Sequence, residues 1–252
     1  MEENVHQECV SLLFPTRKRV GLLQTLLQNI KDTKQGEVEV LIAFDTDDLE
    51  TKNAVDELET KYPFAKFFER ERQDNHMEGY YNYLAKKSTG DYLMVFNDDA
   101  EFVTIGWDKV IKDKAKRFAD WYKDRIFYMG FDDRAHGDPM SSFPCIPRET
   151  YEVLGFFFNP VFYTWLADRN LWSMFSAVGR VVEVPVKITH KLHHVKGWVK
   201  DDVQQRVCDL HVKNYQEWEK DSTITKKPTD EAIGRLRKAI WNPLKSRILP
   251  SG

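Results

Sequence analysis

Between Val10 and Phe96 the chain alternates short apolar runs with stretches of helical period, and no other feature limits the fold as much. Val10-Ser11-Leu12-Leu13-Phe14 reads as a buried strand that Pro15 stops. Leu22/Leu23, Leu26/Leu27 and Ile30 then recur at the spacing of one helix face. Val38 to Phe44 is a second strand, and Val55, Leu58 and Tyr62 mark a second helix. Ala65 to Phe68 is a short third strand. Met77, Tyr80, Tyr81 and Leu84 follow at i, i+3, i+4 and i+7, and Tyr92 to Phe96 is a fourth strand, reached through Thr89-Gly90-Asp91. Strands alternating with helices of this length predict a mostly parallel sheet covered on both faces. Right-handed crossovers make it an open, doubly wound α/β sheet, which binds ligands beyond the C-terminal ends of its strands.

After Phe96 the rhythm changes. A long helix (Trp107, Val110, Ile111, Phe118, Trp121) leads to a strand at Ile126 to Phe131, and the polar stretch Asp132 to Ser142 is expected to be a mobile loop. Another helix is expected from Tyr163 to Gly179, with the glycine as its C-cap. Val181 to Thr189 reads as a strand that Pro185 confines to a sheet edge. From Asp201 onward the chain reads as helices, broken at Lys226-Lys227-Pro228. Residues 1–200 are therefore expected to form the main body, and 201–252 a helical extension packed on it.

A chain of 252 residues, 42% hydrophobic and 31% charged, can bury a sizeable core, which excludes a largely disordered protein. Its net charge of −3 hides an asymmetry. Residues 1–179 carry 22 Lys and Arg against 31 Asp and Glu, and residues 180–252 carry 15 against 9. Only the last third is basic enough to keep a polyanionic partner open. Cys9, Cys145 and Cys208 lie too far apart for a disulfide framework or a zinc module, which fits a reducing compartment. The N-terminus lacks the basic and apolar regions of a secretory signal, and Val153 to Ala167 is too short and interrupted to span a bilayer. A cytoplasmic protein without a membrane anchor is expected.

Five clusters offer chemistry. Asn97-Asp98-Asp99 follows the fourth strand, where hard oxygen ligands suit Mg²⁺ or Mn²⁺ bridging phosphates; a solvated turn is the alternative. Asp45, Asp47 and Asp48 end the second strand, and helix capping accounts for one or two of these acids but not easily for three. Phe14-Pro15-Thr16-Arg17-Lys18-Arg19 places cations beside a helix start, suited to phosphate. No glycine occurs there before Gly21, which excludes a Walker loop and a GxGxxG fingerprint, and Lys18 reads as surface charge. Asp168, on a helical face with Trp165 and Trp172, is either a paired structural acid or a proton acceptor. His190, His193 and His194, before Gly197-Trp198, form a candidate metal or phosphate contact without the HExxH spacing.

In this order the clusters resemble the nucleotide-sugar glycosyltransferases of GT-A fold, most of all the family-2 group. Val10 to Arg17 is similar to that family's opening strand and its P-T turn, with Pro15, Thr16 and Arg17 at the nucleotide. Val40 to Asp45 is similar to its second strand, whose closing Asp45 contacts the nucleobase. Gly90 to Asp99 matches the block that ends in a DxD motif, and Phe143 to Gly155 is similar to the acceptor-side segment. The resemblance covers roughly residues 9–197. It implies a GT-A-like sheet and a nucleotide-sugar donor, UDP-sugar favoured; the helical C-terminal extension, read from the pattern of residues 201–252, lies outside it. It also implies Mn²⁺ or Mg²⁺, and Asp168 as the base that deprotonates an acceptor hydroxyl during inverting displacement.

Two positions depart from the pattern. Asn97 replaces the first acid of the DxD, so the metal falls to Asp99, with Asn97 and Asp98 at the ribose or diphosphate. Ala167 replaces the acid that often precedes the base. His190 is the first choice to complete the metal site and His193 the second. The acceptor is a glycan or a modified nucleic acid. Two other readings compete: a non-catalytic nucleotide- or nucleic-acid-binding module using the basic tail with Trp198, Trp218 and Trp241, and a sugar-nucleotide pyrophosphorylase. The pyrophosphorylase needs a glycine-rich loop that Phe14 to Arg17 lacks. The bland reading of the tail is a helical cap packed through Ile233, Leu236 and Ile240.

Overall fold

The computed structural model describes residues 8–133, 140–190 and 202–248, with the backbone alone at 202–204 and 241–248. Its first half follows the alternation: β1 (Val10–Thr16), α1 (Val20–Thr33), β2 (Val38–Asp45), α2 (Leu49–Lys61), β3 (Ala65–Arg70), a π-helical turn (Met77–Asn82), α3 (Tyr83–Lys87) and β4 (Tyr92–Val95). The second half contains β5 (Ala100–Phe102), α4 (Trp107–Tyr122), β6 (Tyr128–Asp132), β7 (Cys145–Pro147), α5 (Arg148–Leu154), α6 (Ala167–Ser176), β8 (Val181–His190), α7 (Asp202–Lys220) and α8 (Thr223–Ile248).

The eight strands lie in the order β3-β2-β1-β4-β7-β6-β8-β5. Strands β1 to β4 are mutually parallel where they pair, as is β6 with β8, whereas β7 and β5 run antiparallel to their neighbours. Leu12 and Leu13 point to opposite faces of the sheet and both are fully buried, so its centre is covered on both sides. That burial explains the unbroken apolar run of β1.

Proline misleads at three places. Pro15 does not stop β1. The Leu13 carbonyl accepts from Phe96 N at 3.0 Å, so residue 15, two further on, also faces the β4 side, where β4 has already ended. The missing N–H therefore costs no ladder bond. Pro185 does not make β8 an edge, for β8 lies between β6 and β5. The β6 register jumps from Phe131↔Val184 to Asp132↔Lys187, and Pro185 sits in that bulge. Pro228 lies inside α8, and the break falls instead at Asp221, which accepts from Thr223 N (2.9 Å) and Thr223 Oγ1 (2.6 Å).

The helix expected from Tyr163 begins only at Ala167, because Leu166 has a left-handed backbone (φ 71°) that ends one local conformation and starts another. The expected loop at Asp132 to Ser142 falls largely outside the described residues. Helix α8 packs on the body as the apolar spacing predicts. Ala232 and Leu236 are fully buried, Ile233 and Ile240 lie against the core, and Asn170 Nδ2 donates to Thr229 Oγ1 at 2.9 Å. No described helix is long and apolar enough to cross a membrane.

Candidate functional site

Parallel pairing brings the C-terminal ends of β1, β2 and β4 to one edge, so Thr16, Asp45 and the residues after Val95 converge although they are distant in sequence. A cavity of about 570 Å³ opens there. Pro15, Thr16, Arg17, Asp45, Asn97, Asp98, Asp99 and Asp168, eight of the ten residues expected at the site, line it. His190 touches this group from β8, and His193, like His194, lies outside the described residues.

The block leading to Asp99 divides into scaffold and site. At its start, a Cβ on Gly90 would meet Ser11 Oγ at 2.3 Å and the Cys9 carbonyl at 2.9 Å, so only glycine fits. Gly90 N donates to Glu39 Oε1 (2.8 Å), and Asp91 Oδ2 accepts from Cys9 N (2.8 Å). Burial opposes ionisation of Glu39, but donors from Ser11, Thr89 and Gly90 hold its carboxyl below the usual range. These groups fasten the start of β4 to β1 and β2. The far end, Val95 and Asn97-Asp98-Asp99, lines the cavity.

The acids after β2 have separate tasks. Asp48 caps α2 through Thr51 N (3.1 Å), which is the capping role expected of one of them. Arg17 Nη1 donates to Asp45 Oδ2 at 2.8 Å, and both of its terminal nitrogens grip Asp47, at 2.5 and 2.8 Å. The Arg17 hydrogen bond pulls the Asp47 carboxyl down to about 2. The Tyr80 hydroxyl donates to the other Asp45 oxygen. Asp45 is thus held on both oxygens, with Arg72 Nε 4.0 Å away. Asp98, 5% exposed, accepts from Thr16 Oγ1 (2.8 Å) and Arg19 Nη1 (3.0 Å). Burial raises it to about 6 against the pull of Arg19, with the adjacent Asp99 adding to the rise.

Asp99 lies with its Oδ1 3.5 Å from Nε2 of the buried His190. The β5–β8 ladder makes this pair by setting Ala100 opposite His190. Tyr81 donates to Asn97 Oδ1 at 3.0 Å, which turns Asn97 Nδ2 toward His190 Nε2 at 3.1 Å. His190 Nε2 thus faces both the Asn97 amide and the Asp99 carboxylate. A carboxylate oxygen and an imidazole nitrogen 3.5 Å apart match two neighbouring ligands on one ion, about 3–3.5 Å for bonds near 2.1 Å. Among the described residues no cluster of three or more such ligands occurs. Two protein ligands fit Mg²⁺ or Mn²⁺, whose remaining positions water and phosphate oxygens fill.

Asp168 stands in the first turn of α6 with Oδ1 accepting from Arg169 N at 2.7 Å. Trp165 precedes the helix and lines the cavity, whereas Trp172 packs against the core, so the single face expected for these three residues does not form. Burial raises the Tyr81 phenol well above its ordinary range, and the charges of Asp98, Asp99 and Asp168 push the same way. Tyr81 lines the cavity together with these three carboxylates.

Sequence reading saw Arg19 only as one of the cations beside the helix start and Trp165 only as a helical neighbour of Asp168, and it missed Arg72, His76, Tyr80, Tyr81, Thr164 and the contribution of α7 through Val207 and Cys208. Tyr80 and Tyr81 were visible only as helix-face residues. The π-helical turn is what lets both neighbours reach the cavity. Asn82 bolts this turn to the segment before α6. Its Oδ1 accepts from Phe157 N and Phe158 N (2.9 Å each), and its Nδ2 donates to the Phe158 carbonyl at 2.8 Å. Asn82→Ala strands two buried N–H groups and is expected to cost about 3 kcal/mol in denaturant unfolding.

His76, just before the π-helical turn, also lines the cavity, its ring 5.4 Å from that of Tyr80. Burial lowers it to about 4; Asp45 and Asp74 oppose this shift, and Arg206 and Arg72 support it. The unfolded histidine, near pH 6.5, takes up a proton that the folded one refuses, so this contribution to stability falls as pH falls from about 6.5 toward 4. Between pH 7 and 5 the loss is about 2 kcal/mol, and His76→Gln is expected to remove that part of the pH dependence.

A family model described as glycosyl transferase family 2 matches residues 11–140, just over half of the chain. No curated protein sequence matches it. Among solved structures, the mannosyltransferase PcManGT from Pyrobaculum calidifontis, in complex with GDP-Man and Mn²⁺, superposes with a TM-score of 0.62 at 14% identity, covering 98% of this chain and 77% of that one. GalNAc-T7 with UDP, GalNAc and Mn²⁺ gives 0.59 at 13% identity, over 99% of this chain and 53% of that one. S. aureus TarS 1-349 in complex with UDP gives 0.55 at 12% identity, over 86% and 73%. At these identities the likeness establishes the fold, a GT-A-like sheet flanked by helices. The match over residues 11–140 establishes the family: the chain belongs to glycosyltransferase family 2.

Proposed function

We propose that the protein transfers a sugar from a nucleoside-diphosphate sugar to an acceptor hydroxyl, with Asp99 and His190 holding Mn²⁺ or Mg²⁺ and Asp168 serving as base. One observation carries this reading. Asp99, after β4, and Asp168, at the start of α6, line one cavity although they are 69 positions apart in sequence. A metal ligand and a proton acceptor facing one enclosed space is what displacement at an anomeric carbon needs. The cation, when bound, offsets the negative charge of the diphosphate leaving group. Asp45, fixed by Arg17 and Tyr80, presents a carboxylate to the nucleobase, and Asn97 and Asp98 lie toward the ribose and diphosphate. Asp168 accepts the acceptor's proton as the new bond forms, and a single base on the face opposite the leaving group inverts the anomeric carbon.

GDP-Man with Mn²⁺ in PcManGT, UDP with GalNAc and Mn²⁺ in GalNAc-T7 and UDP in TarS support this donor class, with UDP favoured. Residues 201–252 act as an extension of the main body, and α7 closes one wall of the cavity with Val207 and Cys208. A thermal-shift series with UDP, GDP and ADP tests the reading. UDP at about 100 times its Kd is expected to raise Tm by on the order of 5 °C with Mn²⁺. With EDTA in place of Mn²⁺ the rise is expected to be far smaller.

A further inference from the structure

We infer that Trp165 and Thr164 form the acceptor subsite and that the acceptor is an uncharged carbohydrate ring, an assignment that rests on Asp168 being the base. Trp165 lines the cavity beside Asp168 yet is 51% exposed, unusual for the largest apolar side chain. The His211 ring of α7 supports it at a centroid distance of 4.9 Å. Next to it, Thr164 is 5% exposed and lines the same cavity, and its Oγ1 has no hydrogen-bond partner. An unsatisfied buried hydroxyl on a residue that lines a cavity can be completed by a polar group that arrives with a ligand. Leu166, left-handed without being glycine, is the joint that turns Trp165 toward the cavity before α6 begins. The segment is held from behind by His76 N donating to the Tyr163 carbonyl (2.9 Å) and by Asn75 Nδ2 donating to the Pro160 carbonyl (2.8 Å).

An aromatic face, an orphan hydroxyl and a carboxylate side by side match the parts of a sugar ring. The apolar C–H face lies on the electron-rich indole, one hydroxyl meets Thr164, and the reacting hydroxyl meets Asp168. A nucleobase would also stack, but it brings phosphates. Among the described residues, the three arginines that line the cavity already face carboxylates: Arg17 faces Asp45 and Asp47, Arg19 faces Asp98, and Arg72 faces Asp45. That balance favours a neutral acceptor over a polyanion.

The test uses the full chain and three probes: methyl α-mannopyranoside, methyl β-glucopyranoside and methyl β-N-acetylglucosaminide. Binding is followed by saturation-transfer NMR and tryptophan fluorescence, with and without UDP and Mn²⁺. At least one glycoside is expected to saturate. Trp165→Ala is expected to weaken it about tenfold or more and Thr164→Val several-fold, while Trp165→Phe keeps most of the affinity and guards against a folding defect. UDP·Mn²⁺ binding should stay within about twofold in all three variants, since none of them touches Asp99 or His190. Glycoside affinity indifferent to Trp165→Ala overturns the assignment, as does the absence of glycoside binding beside intact UDP·Mn²⁺ binding. Preference for a single-stranded oligonucleotide over every glycoside overturns it too. Glycoside binding at Trp165 without any UDP·Mn²⁺ binding keeps the subsite and refutes the donor reading instead.

Discussion

Asp168→Asn is expected to lower kcat by about 10³-fold while leaving the donor bound with near-normal affinity, because removing a general base costs on the order of 10²–10⁴. The substitution is close to isosteric. Its Oδ1 still accepts the Arg169 N–H that Asp168 accepts at 2.7 Å, so the start of α6 survives. What disappears is the capacity to take a proton. The loss should therefore appear in kcat and in single-turnover rates, with the donor Kd within about twofold of wild type. Activity within a few-fold of wild type would make Asp168 a structural acid.

Asp99→Ala should abolish both turnover and the metal dependence of nucleotide binding. Asp99 supplies one of only two ligands that the described residues offer, and His190 alone is a weak site for a hard cation. Even losing a group that only hydrogen-bonds to a ligand weakens metal sites about 10–100-fold, so losing a ligand is expected to cost at least about 100-fold in Mn²⁺ affinity, read by electron paramagnetic resonance of free Mn²⁺. Misfolding does not explain such a loss in advance. Asp99 adds to the upward shift of its buried neighbour Asp98, so removing it relieves a repulsion and Tm should not fall. Retained Mn²⁺-dependent nucleotide binding would remove Asp99 from the metal site.

The parts of the site legible in the sequence are those that sit at ends of strongly apolar strands. Once β1, β2 and β4 are recognised as parallel, Thr16, Asp45 and Asp99 must share an edge, and the structure puts them there. The proximity of Asp99 and His190 was not legible in the same way. It depends on β5, three residues long, pairing antiparallel with a strand some ninety positions later. No local pattern encodes so short a strand, and the same holds for β7. Proline misled because its penalty depends on which neighbour faces the missing N–H, a tertiary property. Trp165 was placed on a helix because periodicity cannot register a single left-handed residue such as Leu166. The acidic surplus of the first 179 residues also reads differently in the fold. Arg17 and Arg19 pair with Asp45, Asp47 and Asp98, so part of that surplus is matched by cations at the site itself.

Isothermal titration of UDP into the wild-type protein, with Mn²⁺ and again with EDTA, tests the central claim most directly. The account predicts saturable binding with Mn²⁺ that weakens at least about 100-fold in EDTA and changes little with moderate salt. Equal binding with and without the metal, or binding that collapses as salt rises, would contradict a metal-assisted sugar transfer at Asp99 and His190.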